Sequence, residues 1–163
     1  MNKKGLSILI LTLLFSLFVK GQNLDLNEYD ISINDTLIDK SDFVKNGKSL
    51  DSSRLKHLVF KLISDGYKKT YYLNGQLYSQ GEIKNGKEDG FWTYWYDNGK
   101  KAREGNFIQG KRDGTHKYWF PDGRLRGEGS FKNDVYDGKW VMYKEDGSGS
   151  IEQTYKNGEL VKQ

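Results

Sequence analysis

The chain has 163 residues, enough for one ordinary domain and too few for two, with 26 basic residues against 22 acidic ones and no cysteine. The missing cysteines exclude disulfides, zinc-thiolate sites and a lipid anchor through an N-terminal cysteine.

In chain order, residues 1–21 read as a secretory signal peptide. Asn2-Lys3-Lys4 is a positive start, Leu6 to Val19 is an unbroken apolar or small run, and Val19-Lys20-Gly21 offers a small-residue cleavage site. A run of 14 residues is short for a spanning helix, which needs about 20. Export to the periplasm, cell envelope or medium is therefore expected, with membrane association only through this leader before its removal. Lys3, Lys4 and Lys20 leave with it, so 26 basic residues become 23 against 22 acidic ones, a net charge of +1. That balance gives no basic stripe, so no nucleic-acid partner is expected.

Residues 22–66 obey no period and form an N-terminal cap segment. Ile31-Ser32-Ile33-Asn34-Asp35-Thr36-Leu37-Ile38 reads as a short hairpin. Leu55, Leu58, Val59 and Leu62 recur at helical spacing after Ser52-Ser53, and for residues 54–63 helix and strand both stay open. Covering the first open strand edge of the C-terminal region is the expected role of this segment.

From residue 67 to 163 the chain is a repeat of 24 residues in four units, 67–90, 91–114, 115–138 and 139–162. Asp-Gly recurs with Gly66, Gly90, Gly114 and Gly138, and a second dipeptide, Asn-Gly or Asp-Gly, with Gly75, Gly99, Gly123 and Gly147. Five residues after each of the first glycines stands an aromatic: Tyr71, Trp95, Trp119 and Tyr143. Fixed-period self-similarity of this length predicts a stacked array whose units bury their apolar faces against one another. Most of the 19 glycines fall inside the array, which argues against helix.

Each unit predicts two strands and a turn. Phe91-Trp92-Thr93-Tyr94-Trp95-Tyr96 has strand composition, and Asn98-Gly99 is expected to form a type I′ turn. Gln109-Gly110-Lys111-Arg112-Asp113-Gly114 is expected to be a looser link into the next unit. A two-residue loop would set Trp92 opposite Gly105, Tyr94 opposite Arg103, Tyr96 opposite Lys101, Trp95 opposite Ala102 and Thr93 opposite Glu104. The glycine column Gly81, Gly105 and Gly129 then faces the large rings at Trp92 and Trp140, which replace the packing that glycine lacks. The face with Trp92, Tyr94, Tyr96 and Phe107 is the expected core.

The stretch Asn85-Gly86-Lys87-Glu88-Asp89-Gly90-Phe91-Trp92-Thr93-Tyr94-Trp95-Tyr96-Asp97-Asn98-Gly99 resembles a bacterial MORN-type repeat, in the variant similar to the antitoxin family labelled YwqK. The resemblance spans about residues 66–160. It implies an all-β fold, an elongated single-layer antiparallel sheet of tandem hairpins with contacts to protein or membrane surfaces along it. His116 stands where Trp92 and Trp140 stand in neighbouring units, Asn133-Asp134 replaces Asn-Gly, and Gln153 replaces the column glycine.

Tyr71, Trp95, Trp119 and Tyr143 share one column on the face opposite the expected core. They are the candidate partner-binding residues, set against a plain packing role between repeats. Glu104, Glu128 and Glu152 form a carboxylate column on that face, with no nucleophile and base beside it, so no catalytic residue is expected. His57 and His116 lie too far apart to suggest a metal site, and His116 reads as a flat ring filling a repeat slot. No glycine-rich phosphate loop precedes a helix, so no cofactor is expected, and Gly147-Ser148-Gly149-Ser150 reads as a flexible hairpin tip. The leading expectation is an exported, non-enzymatic scaffold that binds a protein, antitoxin-like by resemblance. The alternative is cell-wall or surface-glycan binding, and a plain stiffening role comes third. An open sheet also has edges, so edge-to-edge association of the chain with itself is expected.

Overall fold

The structure, a computed structural model, describes residues 29–46, 52–55 and 58–161. The expected leader and His57 lie outside the described residues. Two compact units divide the chain, one running to Ile63 with Thr70–Gly75 added, the other comprising Ser64–Lys69 and Gln76 onward.

In the N-terminal unit, β1 (Tyr29–Ile33) and β2 (Thr36–Ile38) form the expected hairpin, with Ile33 opposite Thr36. Asn34 and Asp35 both take positive φ, 50° and 63°, as a type I′ turn requires. β1 also pairs antiparallel with β3 (Leu58–Leu62), and β2 meets the end of β4 (Gly66–Tyr71) in parallel through Ile38 and Tyr71. Ile31, Ile33, Ile38 and Leu58 make the core, with Phe43 and Leu73 packed on it.

The ambiguity over 54–63 resolves by division. A one-turn helix α2 (Ser52–Leu55) ends before the strand β3 begins. A helix α1 (Lys40–Asn46) was not anticipated, although its cap is visible in the sequence. Asp39 accepts the Asp42 N–H at 2.8 Å as an N-cap, and Asp42 in turn accepts the Leu73 N–H at 2.6 Å.

The repeat unit is an open antiparallel sheet whose strands lie in sequence order from β12 back to β4. Its members after β4 are β5 (Leu77–Lys84), β6 (Lys87–Trp95), β7 (Lys101–Ile108), β8 (Lys111–Trp119), β9 (Leu125–Lys132), β10 (Val135–Tyr143), β11 (Ser150–Lys156) and β12 (Glu159–Leu160).

The turns are distributed differently from expectation. Asn98-Gly99 is not a type I′ pair, because only Gly99 has positive φ, at 79°. Gly99 N–H donates to the Tyr96 carbonyl and Tyr96 N–H to the Lys100 carbonyl, which makes a type I turn over Asp97-Asn98 with a glycine bulge. The bulge shifts the register, so Trp95 lies opposite Lys101 rather than Ala102, and Tyr96 leaves the strand ladder. The type I′ turns are the links expected to be looser. Asn85-Gly86, Gln109-Gly110, Asn133-Asp134 and Asn157-Gly158 each carry two positive φ angles.

Asp-Gly is likewise not a turn. It sits inside β6, β8 and β10, where Gly90 has φ 76° and the ladder to the preceding strand slips at a bulge. Three of the Asp-Gly aspartates, Asp65, Asp89 and Asp113, reach the turn about 20 residues further on. Asp65 accepts the N–H groups of Asn85 and Gly86 at 2.9 and 3.0 Å, Asp89 that of Gln109 at 3.1 Å, and Asp113 that of Asn133 at 3.4 Å. These turn amides hold the Asp65 carboxyl below the usual carboxylate range. Asp89→Ala should therefore lower stability by about 1 kcal/mol in urea denaturation. Asp89→Asn keeps an acceptor and should recover most of it; equal losses would show that a neutral acceptor does not suffice and that the carboxylate charge is what holds the turn.

The predicted core face is the buried one. Trp92, Tyr94, Phe107, His116, Phe131 and Trp140 are all at most 5% exposed. One sheet achieves this because the rings lie flat across neighbouring strands. Trp92 covers Gly81, His116 covers Gly105 and Trp140 covers Gly129. Trp92 does stand opposite Gly105 in the ladder, as expected, but its ring lies over the glycine of the preceding strand. Guanidinium groups roof the rings from outside: Arg103 lies 3.8 Å over Tyr94 and Arg112 4.0 Å over Phe131.

Candidate functional site

Strand alternation puts Trp95 with Thr93 on the face away from Trp92 and Tyr94. The register of that face agrees with expectation: Thr93 opposite Glu104, Glu104 opposite Lys117, Lys117 opposite Glu128, and Val141 between Glu128 and Glu152. Each of these glutamates is held by a lysine. Lys101 meets Glu104 at 2.7 Å, Lys117 meets Glu128 at 3.1 Å and Lys139 meets Glu152 at 2.7 Å. The column is thus a ladder of Lys–Glu ion pairs rather than a set of paired carboxylates.

Trp95 and Trp119 are half-buried and Tyr143 is 40% exposed. Trp119 is tied to the preceding repeat by Lys101, whose ammonium sits 5.0 Å from the ring centroid while it also binds Glu104. The packing role and the open ring face therefore coexist in the same side chain. Tyr71 belongs to the N-terminal unit, where its carbonyl accepts the Asp39 N–H at 2.7 Å, so the candidate column within the repeat unit is Trp95, Trp119 and Tyr143.

At Tyr143 the column meets a shallow hollow lined by Phe120, Arg124, Leu125, Lys144, Gly147, Gly149 and Ser150. Arg124 is fully engaged there: it binds the Asp122 carboxylate at 2.7 Å, donates to the Glu145 carbonyl at 2.8 Å and faces the Phe120 ring at 5.6 Å. The Arg124 N–H and guanidinium hold the Asp122 carboxyl below its usual range. The tip of the β10–β11 hairpin, at Gly147-Ser148-Gly149-Ser150 as expected, carries turn hydrogen bonds. Gly147 N–H donates to the Lys144 carbonyl and Ser148 N–H to Asp146 at 2.8 Å.

On the buried face, the phenol of Tyr94 is pushed well above its ordinary value by burial and by the Glu88 carboxylate to which it donates. His116 is a second titratable group there. Its Nε2 lies 2.8 Å from the Asn106 carbonyl, just as the indole N–H groups of Trp92 and Trp140 donate to Glu82 at 3.0 Å and to Ser130 at 2.9 Å. The slot expected from sequence is filled by the same bond with a smaller ring.

Gly75, Gly99, Gly123 and Gly147 end the type I turns, while Gly66, Gly90, Gly114 and Gly138 all take positive φ. Sequence reasoning missed Lys101 and Leu125 as neighbours of the column, because both enter it through the one-residue bulge after Asn98-Gly99 and Asp122-Gly123. Among the described residues no group of three or more metal-ligating side chains occurs, and no helix is long and apolar enough to cross a membrane.

A tandem array of this kind, with ring-covered glycines and turns stitched by aspartates, defines a hairpin repeat protein. The MORN repeat variant family model matches residues 64–85, 88–109, 112–133 and 136–157, more than half of the chain, and the chain belongs to that family. A comparison with curated proteins finds no match.

Proposed function

We propose that the protein is an exported, non-enzymatic repeat scaffold that binds another protein through the face bearing Trp95, Trp119 and Tyr143. The observation that carries this reading is the two-sided use of aromatics. One set is sealed under arginines as core, while these three rings stay partly open beside a ladder of Lys–Glu ion pairs. Large rings with charged surrounds are the usual anchors of a protein interface. Export rests on the leader pattern of residues 1–21. A bacterial origin and a role like that of the YwqK antitoxins rest on the repeat's resemblance alone, and with export the neutralised target would lie outside the cytoplasm.

A glycan-binding reading has one observation in its favour, the hollow that brings Phe120, Leu125 and Tyr143 together. Against it, Trp92 and Trp95 stand on opposite faces and cannot converge on a pocket between hairpins.

The test is capture from envelope extract, using chain purified from cells expressing the full sequence, wild type beside Trp95→Ala/Trp119→Ala. Circular dichroism checks that both are folded. Wild type should retain one protein that the double variant loses by at least about tenfold, the effect of removing two interface anchors. Retention of wall polymer instead would move the glycan reading to first place. Identical capture by both forms would reduce the column to packing.

A further inference from the structure

The C-terminal edge of the repeat sheet ends in a way the interior does not. β11 pairs with β10 from Ser150 to Tyr155, but on its outer side only Tyr155 and Lys156 are paired, with Leu160 and Glu159 of β12. The Val161 N–H donates to the Thr154 carbonyl, which fixes the phase of the strand. Thr154, and with it Glu152 and Ser150, direct their backbone groups outward, while Ile151 and Gln153 direct theirs to β10. Among the described residues no strand pairs with the outer side of Ser150 or Glu152.

The side chains there are also unfinished. One row of the buried face runs from Tyr94 through Arg103, Tyr118, Gly127 and Met142 to Ile151. Tyr94 is 4% exposed at its inner end, whereas Met142 and Ile151 are 39% and 48% exposed at the outer end. Continuing the array with another repeat is blocked. Every interior junction needs a column glycine under the next ring, and Gln153 stands in that place, accepting the Tyr155 hydroxyl at 2.8 Å.

We infer that this edge pairs with the same edge of a second copy of the chain, antiparallel and two-fold symmetric about Ile151. In that register Ser150 faces Glu152 of the second copy and Glu152 faces its Ser150. The outward N–H and C=O groups of both residues are then satisfied in two hydrogen-bonded pairs. Ile151 meets its own symmetry mate at the closer, non-hydrogen-bonded position and extends the apolar row across the axis. The charges permit it, since Glu152 lies opposite a neutral serine and carries Lys139 at 2.7 Å. Head-to-tail docking would instead have to place a ring over Gln153. β12 on one side and the Gly147–Gly149 turn on the other limit the pairing to three residues, so the dimer is weak and reversible. The edge runs beside Tyr143, which lies opposite Ser150, but Ile151 belongs to the other face, so a change there reads the pairing and not the proposed partner site.

Sedimentation velocity on the full chain, from about 5 to about 500 μM, reads the equilibrium directly. Wild type should shift from monomer to dimer across this range. Ile151→Lys and Ile151→Glu each set like charges across the axis and should weaken the dimer by more than about tenfold. Position 151 is half exposed, so both variants should keep the wild-type circular dichroism spectrum. An equimolar mixture of the two should associate more tightly than either alone, because only a two-fold axis at this residue brings lysine opposite glutamate. Wild type that stays monomeric throughout, single variants that dimerise like wild type, or a mixture no tighter than its components would each overturn the inference.

Discussion

Gly81→Ala should cost about 2–4 kcal/mol, although it adds a single methyl group to a strand. A Cβ at Gly81 would sit 2.3 Å from Cδ2 of Trp92 and 2.4 Å from Cε2, well inside contact distance. The indole cannot yield cheaply. Its N–H donates to the Glu82 carbonyl at 3.0 Å, it stacks on Tyr94 at 5.9 Å, and it forms one core cluster with Tyr94 and Phe107. Overpacking of a tight core costs about 1–3 kcal/mol, and losing the indole hydrogen bond adds about 1. Gly90→Ala makes the useful contrast. A Cβ there meets nothing within 4 Å, but φ is 76°, so the expected loss is the left-handed penalty alone, about 1–2 kcal/mol. Urea denaturation of both variants decides the matter. A double-mutant cycle with Trp92→Ala should show strong coupling to Gly81→Ala, since without the ring the methyl has room. Additive losses would mean that ring and glycine do not share the slot.

The same junction explains what was legible in the sequence. The period, the hairpins and the ring-over-glycine pairing arise from residue types at fixed spacing, and they need only local backbone rules. Turn identity escapes the sequence because the strongest short signal, Asn98-Gly99, fits two geometries. Type I′ needs two positive φ angles, whereas the type I turn with a bulge needs only one, at glycine. The second is observed: the Lys100 N–H donates to the Asn98 side chain at 3.0 Å, as at Asp122 and Asp146, and between repeats Asn98 donates to the Pro121 carbonyl at 2.9 Å and Lys100 to that of Asp122 at 2.6 Å. The bonds between repeats connect residues 22 or 23 apart and are invisible to a reading of one hairpin at a time.

Asp-Gly misleads for a related reason. It has turn composition, yet its aspartate serves a turn about 20 residues downstream and its glycine serves a bulge. The candidate column was legible as a period, but the bulge that brings Lys101 onto Trp119 was not. α1 escapes because its seven residues are too few to show a helical stripe, leaving only its cap at Asp39, Asp42 in the first turn and Lys45 in the last as local signals. The sheet's lack of a second layer was implied by the repeat, while its solution, arginines laid over buried rings, appears only once Arg103 and Arg112 are placed.

His116→Ala should be as costly as Gly81→Ala, about 3 kcal/mol, the usual loss for removing a buried ring. His116 is 1% exposed and packs edge-on between Phe107 at 5.3 Å and Phe131 at 5.2 Å. His116→Trp should restore the loss, since Trp92 and Trp140 fill the equivalent slots with the same carbonyl bond. The two rings differ in one respect, and it sets a pH dependence. Burial pushes the imidazole below its ordinary value, the Asn106 carbonyl opposes this, and Arg112 and Arg103 add to the depression. With Nε2–H donating to Asn106, a second proton would go to Nδ1, which is pressed over Gly105. The unfolded chain takes up that proton near pH 6.5, whereas the folded chain resists it. His116 therefore contributes its full stability above pH 6.5 and loses it as pH falls through the lower folded value. Urea titrations of wild type and His116→Trp at pH 7.5, 6.5 and 5.5 should give stabilities that diverge as pH drops, with wild type falling faster. The depressed aspartates, Asp65, Asp122, Asp134 and Asp146, act at lower pH and are common to both proteins, so they cancel in the difference. Parallel curves would mean that the imidazole accepts its second proton in the folded array, and that the slot between Phe107 and Phe131 opens far more readily than its packing implies.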